Sequence, residues 1–430
     1  MENSSDRFDN EIPIVFVPAL MGTTLHKHKH QHGTDNVDEA QTVYITSSIG
    51  LGLDTPDLAL PIKWKHNVGD DTASDNELLP KQLKDDIHPG ESLKSIKLNL
   101  CCCASITVLD QYSSFYKHFE RFRNVYTFGY DWRRDLNETT DHLLEFLQTI
   151  KAKHGVPAQV VSHSMGCLIA LAACNAHPYL FHSNCFVGGM FAGGIGFYPM
   201  NTEGMVVGIN NRYLGPKVIH TFPSMFATAS PMGVGNDPIL KDEHGTQLWQ
   251  FVDSNETKTL VDIDMYSIEE WKKYKIGPWR RHEPVSDEME QHIKNCLHLG
   301  YEFQLKMRNL QVHSNSLISK QSLDATTYPP VAVLVGDKFV HPEYFLWDTK
   351  RKRGLDWTTQ LIKRHEPKHA KTDGTVSYIS ASQPPVPEGV KIHEYNARDN
   401  GHGIGKHREL MNDPDMIENI LKDLRESSRN

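Results

Sequence analysis

The chain has 430 residues, 39% hydrophobic, 23% charged and 9% aromatic, a composition that excludes a disordered or collagen-like polymer and can fill a sizeable core. A formal net charge of -9 with histidine neutral argues against a polyanion-binding surface, so no nucleic-acid partner is expected. Its 7 cysteines, at positions 101, 102, 103, 167, 174, 185 and 296, follow neither metal-ligand spacing nor a disulfide framework, and reduced thiols are expected.

The first residues, MENSSDRFDNE, are polar and acidic, and the apolar run IPIVFVPALMG behind them has no basic flank and is too short to span a bilayer. Neither a signal peptide nor a membrane span is expected, which makes the reading cytoplasmic, with room for peripheral membrane contact. Ile12 to Val17 is β-branched and apolar and ends at Pro18, the pattern of a buried strand entering a turn. From His26 to about Lys97 no periodicity is sustained, so loops with short elements are expected. His26, His28, His30 and His32 alternate there; on a strand they would line one face and suit a transition metal, but the composition favours a solvated polar loop.

Helical signal covers Ser105 to Phe122, and Val125 to Tyr130 reads as a strand. Thr140 to His154 carries Leu143, Leu144, Phe146, Leu147 and Ile150 on one face, behind Asn137 and Thr139 as capping candidates, and is expected to be a helix. Gln159 to Val161, Met165 to Ala176 and Cys185 to Met190 then read as strand, helix and strand. This alternation means a parallel sheet with crossover helices. Between Ala192 and Tyr328 it gives way to Gly-rich and aromatic loops with an isolated helix near Val285 to Asn309. Val331 to Val335 and Val390 to Tyr395 resume the strands, and Asp413 to Arg425 closes with a helix. The expected organisation is therefore a core in two parts, 1–191 and 329–430, with a cap or lid inserted at 192–328.

Ser162-His163-Ser164-Met165-Gly166 lies between an expected strand and an expected helix. A nucleophilic serine at such a junction occupies a strained backbone turn, and the residues two before and two after it must be small, as Ser162 and Gly166 are. Ala170, Ala172 and Ala173 let the following helix approach the sheet. The plain alternative is a serine capping an ordinary helix. An oxyanion needs two donors, normally the amide after the serine and one from the turn after an earlier strand. Met165 supplies the first by position, and Leu20 in the turn PALMG is placed to supply the second.

The motifs IVFVPALMGTTL, YDWR at Tyr130 to Arg133, SHSMG, FPSMF at Phe222 to Phe226 and DGTV at Asp373 to Val376 resemble, in order, those of the lecithin:cholesterol acyltransferase-like α/β-hydrolases. The resemblance implies an α/β fold of the hydrolase type, a mostly parallel sheet flanked by helices with a large inserted cap. It also implies Ser164 as nucleophile, Leu20 and Met165 as oxyanion donors, Asp373 as triad acid and a C-terminal histidine as base. Ala19 stands where the family's turn usually has glycine, and no cysteine falls between Met1 and Leu100 to close the lid disulfide of the family's secreted members.

Independently of the family, hydrolases of this kind run Ser, acid, His along the chain, so Asp337 after VAVLVG and Asp373 in KTDGTVSYISA both qualify; the resemblance favours Asp373. For the base, His407 just before the closing helix fits better than His402 between two glycines. WKKYKIGPWRR, from Trp271 to Arg281, suits either a lipid headgroup interface or a solvated loop. Asn137 and Asn255 head glycosylation triplets, which without a signal peptide are expected to stay unmodified. Lys350 to Arg353 is a basic run, expected as a loop.

The expected activity is that of a serine hydrolase or O-acyltransferase on phospholipid-type fatty acyl esters, needing no metal or organic cofactor. Its partner is a lipid ester substrate, met at a membrane surface. The absent lid staple favours hydrolysis over transfer. A soluble carboxylesterase and a catalytically inactive lipid-binding fold are the rivals.

Overall fold

Alternation along three short apolar runs organises the molecule: in Ile14–Val17 (β1), Ile14 and Phe16 join one buried cluster while Val15 and Val17 join another. The same division holds for Val160 against Val161 and for Val331 and Val333 against Ala332 and Leu334, so these strands are covered on both faces. The protein is described here as a computed structural model covering residues 12–27, 41–64, 83, 85–101, 104–193, 197–229, 250–253, 260–261, 264–280, 283–313, 316–342, 344–348, 353–354, 369–397 and 406–428.

The central sheet has six strands: β1, Val125–Thr127 (β2), Ala158–His163 (β3), Phe181–Val187 (β4), Val331–Val335 (β5) and Ile392–Asn396 (β6). They lie in the order β6-β5-β4-β3-β1-β2, every neighbouring pair parallel. One face is covered by Ser113–Phe119 (α1) and Pro414–Ser427 (α5), through Phe115, Phe119, Ile417, Ile420 and Leu421. The other face carries Leu136–His154 (α2), Met165–Ala176 (α3) and Asp287–Met307 (α4). This is the expected α/β-hydrolase architecture. The chain leaves β1 toward β2 on one side and returns to β3 on the other, so the carboxyl ends of β1 and β3 flank the point where the strand order reverses, where such sheets place their ligands.

α3 is buried from Met165 to Asn175, and its alanines and Gly166 permit contact with the sheet, α2 and α4 at once. α2 begins at Asp135, whose carboxylate accepts from Asn137 N, and ends at Gly155 with φ 74. Asn137 and Thr139, the expected caps, lie inside its first turns; Asn137 Nδ2 instead bonds Leu299 O at 3.1 Å.

Other expectations are corrected. Ala104–Asp110 is a strand paired antiparallel with Ser95–Cys101, and the helix starts only at Ser113. Its β-branched Ile106, Thr107 and Val108 prefer the extended backbone. The early region holds a three-stranded antiparallel sheet of Thr23–Lys27, Gln41–Tyr44 and Ile87–Ser92. His26 there bonds Thr24 and Thr42 hydroxyls through its two ring nitrogens at 3.0 and 3.2 Å, whereas His28, His30 and His32 lie outside the described residues. Trp271 is fully buried, stacked on Phe226 with ring centroids 5.4 Å apart, and Lys272 and Lys273 pair with Glu290 and Glu270. That stretch is neither a headgroup interface at Trp271 nor a loop over Ile268–Lys273, which is a helix; Arg281 lies outside the described residues. Gln250–Asp253 pairs in parallel with Tyr344–Asp348, joining the segments on either side of residue 328. Asn255 and Lys350 lie outside the described residues. Among the described residues no helix is long and apolar enough to cross a membrane.

Candidate active site

β3 runs straight into α3, and the residue at the junction, Ser164, takes φ 54 and ψ -122. A non-glycine residue with positive φ costs about 1–3 kcal/mol and persists only where its surroundings over-determine it. Here they do. Ser164 N donates to Val187 O at 3.0 Å, and Cys167 N closes the first helical turn on Ser164 O at 2.9 Å. Gly166 is required by contact: a Cβ there would lie 2.5 Å from both Val17 O and Pro18 O. The elbow is thus pressed backbone to backbone against the end of β1.

The turn after β1 is fastened from three directions. Gly22 N donates to Ala19 O at 2.9 Å within the turn, Tyr130 Oη donates to Pro18 O at 2.8 Å, and Ala19 N donates to Tyr112 Oη at 3.1 Å. Met21 has φ 61, and half-buried Leu20 sits between these anchors. Met165 opens α3, so its amide is one of the helix's first N–H groups and has no acceptor one turn back.

YDWR and FPSMF form the scaffold under this turn. Trp132 Nε1 donates to Thr23 O at 3.1 Å, and Ser224 Oγ donates to Trp132 O at 2.6 Å. Arg133 is fully buried, with Nη2 2.6 Å from Asp131 Oδ2 and Nη1 2.7 Å from Asp85 Oδ2. Burial works against its charge, but the hydrogen bonds it donates to the two carboxylates hold its pKa above the usual guanidinium range.

Asp373 lies at the end of His369–Thr372, in a turn where its Oδ1 accepts from Thr375 N at 2.9 Å and Val376 N at 2.8 Å. Its Oδ2 is left for His407 Nδ1, at 2.7 Å. Because a carboxylate only accepts, Nδ1 carries the imidazole proton and Nε2 presents a lone pair to Ser164 Oγ at 2.8 Å. Ser164, Asp373 and His407 are brought together from three distant parts of the chain, all buried. Asp337 is elsewhere, its oxygens 3.8 Å from Lys338 Nζ and from Lys371 Nζ. His402 lies outside the described residues.

Sequence reasoning gave no role to His163, Tyr112 or Gln111, which are hydrogen-bonded to one another and to His407 O. Burial lowers His163 from 6.5 to about 3, with the neighbouring His407 adding to the effect, so the ring is neutral. The one signal available was the histidine beside the elbow serine; Tyr112 was hidden in a stretch expected to be helical. Cys167, Cys174, Cys185 and Cys296 are free and buried, and burial pushes the Cys167 and Cys174 thiols up to about 12. Among the described residues, His118, Asp415 and Glu418 could surround a cation. Both His118 nitrogens already face carboxylates, at 3.5 Å to Asp415 and 2.7 Å to Glu418, and the group joins α1 to α5.

A family model described as Lecithin:cholesterol acyltransferase matches residues 109–329, just over half of the chain. The comparison with curated proteins finds no match. Among solved structures, one titled "The crystal structure of Tle4-Tli4 complex" is similar with a TM-score of 0.48 and 13% identity, over 96% of this chain and 98% of that one.

Proposed function

The chain belongs to the lecithin:cholesterol acyltransferase family, whose general activity is lipid acyl hydrolysis or transfer, and on that premise we propose that it cleaves phospholipid-type fatty acyl esters through an acyl-enzyme on Ser164. The observation that carries this reading is the chain of contacts from Asp373 Oδ2 to His407 Nδ1, 2.7 Å, and from His407 Nε2 to Ser164 Oγ, 2.8 Å.

In this mechanism His407 Nε2 takes the hydroxyl proton as Ser164 Oγ bonds to the ester carbonyl carbon. The carbonyl π electrons move to oxygen, and the Leu20 and Met165 amides donate to that oxyanion. When the tetrahedral intermediate collapses, the ester C–O bond breaks and His407 returns the proton to the departing alcohol or lysolipid. Water or a second alcohol then attacks the acyl-enzyme, giving its proton to His407 Nε2, and as the acyl–Oγ bond breaks His407 passes that proton to Ser164 Oγ, leaving free fatty acid or a new ester. Asp373 holds the Nδ1 proton throughout and stabilises the imidazolium. No cofactor is called for.

The cap belongs to the stretch 192–328, inserted between core parts 1–191 and 329–430, although α4 and residues 222–226 of the same stretch pack against the core. Hydrolysis is the main outcome, because no disulfide-closed lid precedes residue 100 to seal the acyl-enzyme from water. The lipid ester is met at a membrane surface.

The experiment is labelling with a fluorophosphonate, followed by product analysis on phosphatidylcholine vesicles with and without a long-chain alcohol. Ser164→Ala removes labelling and lowers fatty acid release by several orders of magnitude. Labelling that survives the substitution rejects Ser164 as nucleophile, and a predominance of acylated alcohol at modest acceptor concentration makes the protein an acyltransferase first.

A further inference from the structure

His163 is the residue before the proposed nucleophile, and both nitrogens of its buried ring are engaged. Nε2 lies 3.0 Å from the main-chain carbonyl oxygen of His407, which can only accept, so Nε2 bears the proton and Nδ1 is an acceptor. Nδ1 lies 3.0 Å from Tyr112 Oη, which must therefore donate. Having donated its proton, Tyr112 Oη accepts from Ala19 N and from Gln111 Nε2, each at 3.1 Å. Every proton in the chain Ala19/Gln111, Tyr112, His163, His407 is fixed from its carbonyl end, with both lone pairs of the phenol used.

The two ends of this chain belong to different parts of the proposed machinery. Ala19 is in the turn that carries Leu20; His407 is the base. They are far apart in sequence, and the pairing of the central sheet reaches neither of them, since β1 ends at Val17 and His407 lies beyond β6. We propose that Tyr112 and His163 are positioning residues that lock the turn bearing the Leu20 amide to the segment bearing His407, so that oxyanion donor and base face Ser164 Oγ together.

The inference rests on the triad reading above and adds to it a requirement the triad alone does not contain. His407 is clamped on both sides of its backbone, its N–H by Asp373 O at 2.9 Å and its carbonyl by His163. Removing the second clamp leaves the imidazole attached through Asp373 but free to pivot. Misplacement of a reacting group by about 1 Å can cost about a hundredfold in rate. The neutral state of His163 serves the same arrangement: its ring centroid is 5.0 Å from that of His407, where a second positive charge would oppose imidazolium formation.

Three variants test this on the full chain: His163→Leu, His163→Gln and Tyr112→Phe, each compared by thermal midpoint, by rate of fluorophosphonate labelling, and by kcat and KM on a short-chain nitrophenyl ester. His163→Leu is expected to lower kcat and the labelling rate about a hundredfold while KM holds. His163→Gln restores an amide donor near the site of Nε2 and recovers much of the loss, about tenfold. Tyr112→Phe removes one oxygen, frees the Ala19 amide, and lowers kcat about tenfold with KM again unchanged. Should His163→Leu fail to fold, the glutamine and phenylalanine variants carry the test. Wild-type kcat in a folded Tyr112→Phe protein overturns the proposal, as does a glutamine variant no better than leucine. If the wild type is labelled at Ser164 while these variants turn over normally, this inference alone fails; if Ser164 is not labelled in the wild type, the triad reading fails and takes the inference with it.

Discussion

His407 is tied to Asp373 at two points, main-chain N–H to main-chain carbonyl at 2.9 Å and imidazole Nδ1 to carboxylate Oδ2 at 2.7 Å. Side-chain chemistry at position 373 can therefore be altered while the backbone still presents the histidine to Ser164. Asp373→Asn is expected to leave the fold intact and to reduce kcat about a thousandfold or more, because an amide N–H facing Nδ1 selects the tautomer in which Nε2 is protonated and no longer a base. Asp337→Asn, altering a carboxylate paired with Lys338 and Lys371 rather than with His407, is expected to leave turnover unchanged. Kinetics of the two purified variants decide it, and the reverse ranking would make Asp337 the acid.

Gly166→Ala is expected to damage stability and activity together. The added methyl would stand 2.5 Å from two carbonyl oxygens, a clash that must displace either the elbow or the turn carrying Leu20. Overpacking of this kind costs about 1–3 kcal/mol. Urea denaturation and ester turnover measured side by side check it; an alanine variant with wild-type stability and rate would mean that the two backbones are not in contact.

Arg133→Leu strands two carboxylates, Asp131 and Asp85, with no cation between them. Breaking a buried ion pair by removing one partner costs about 3–5 kcal/mol. The expected result is a large drop in the urea midpoint, partly relieved by adding Asp85→Asn. A leucine variant as stable as wild type would show the carboxylates to be solvated rather than buried.

Asp135 gives a pH signature. Burial raises its pKa from 3.8 to about 6, opposed by hydrogen bonds from Asn137. The folded protein therefore binds this proton more tightly than the unfolded chain, so between about pH 4 and 6 its contribution to stability falls as pH rises. Asp135→Asn keeps an acceptor for the helix cap and removes the buried charge. Its stability relative to wild type should be near zero at pH 4 and should grow to about 1–3 kcal/mol in its favour by pH 7. A difference of constant size across that range would show that Asp135 titrates normally.

The strands β1 and β5 were legible because each is a continuous apolar run covered on both faces, β3 because Val160 and Val161 lead into the elbow serine, and α2 and α5 because their apolar residues recur at helical spacing. Ser164 was legible as the one serine flanked by small residues at a strand-to-helix junction. Tyr112 and His163 were not, because their importance depends on what lies opposite them, and nothing local to either residue announces Ala19 or His407. The antiparallel pieces were missed for a related reason. Short polar strands such as Gln41–Tyr44 and Ile87–Ser92 owe their conformation to pairing with Thr23–Lys27, and tertiary pairing overrides weak local preference. The stretch from Trp271 to Arg281 was open to two readings because aromatic and basic residues mix there, yet a single helical turn points the Trp271 indole inward and leaves Lys272 and Lys273 to pair with Glu290 and Glu270.

The strand order also sets a timetable for synthesis. β1, β3 and β4 leave the ribosome early, but β4 must wait for β5 before its second edge is paired, and β5 must wait for β6. Between β4 and β5 the ribosome adds well over a hundred residues, and during that interval β4 presents an open parallel edge while Cys185 and Val187 lack the cover of Ile417, Ile420 and Leu421 from α5. An unfinished apolar sheet edge is a template for pairing with other chains. A nascent chain halted before residue 331 should therefore be bound by chaperones or aggregate, while one that has emerged past residue 427 should be released.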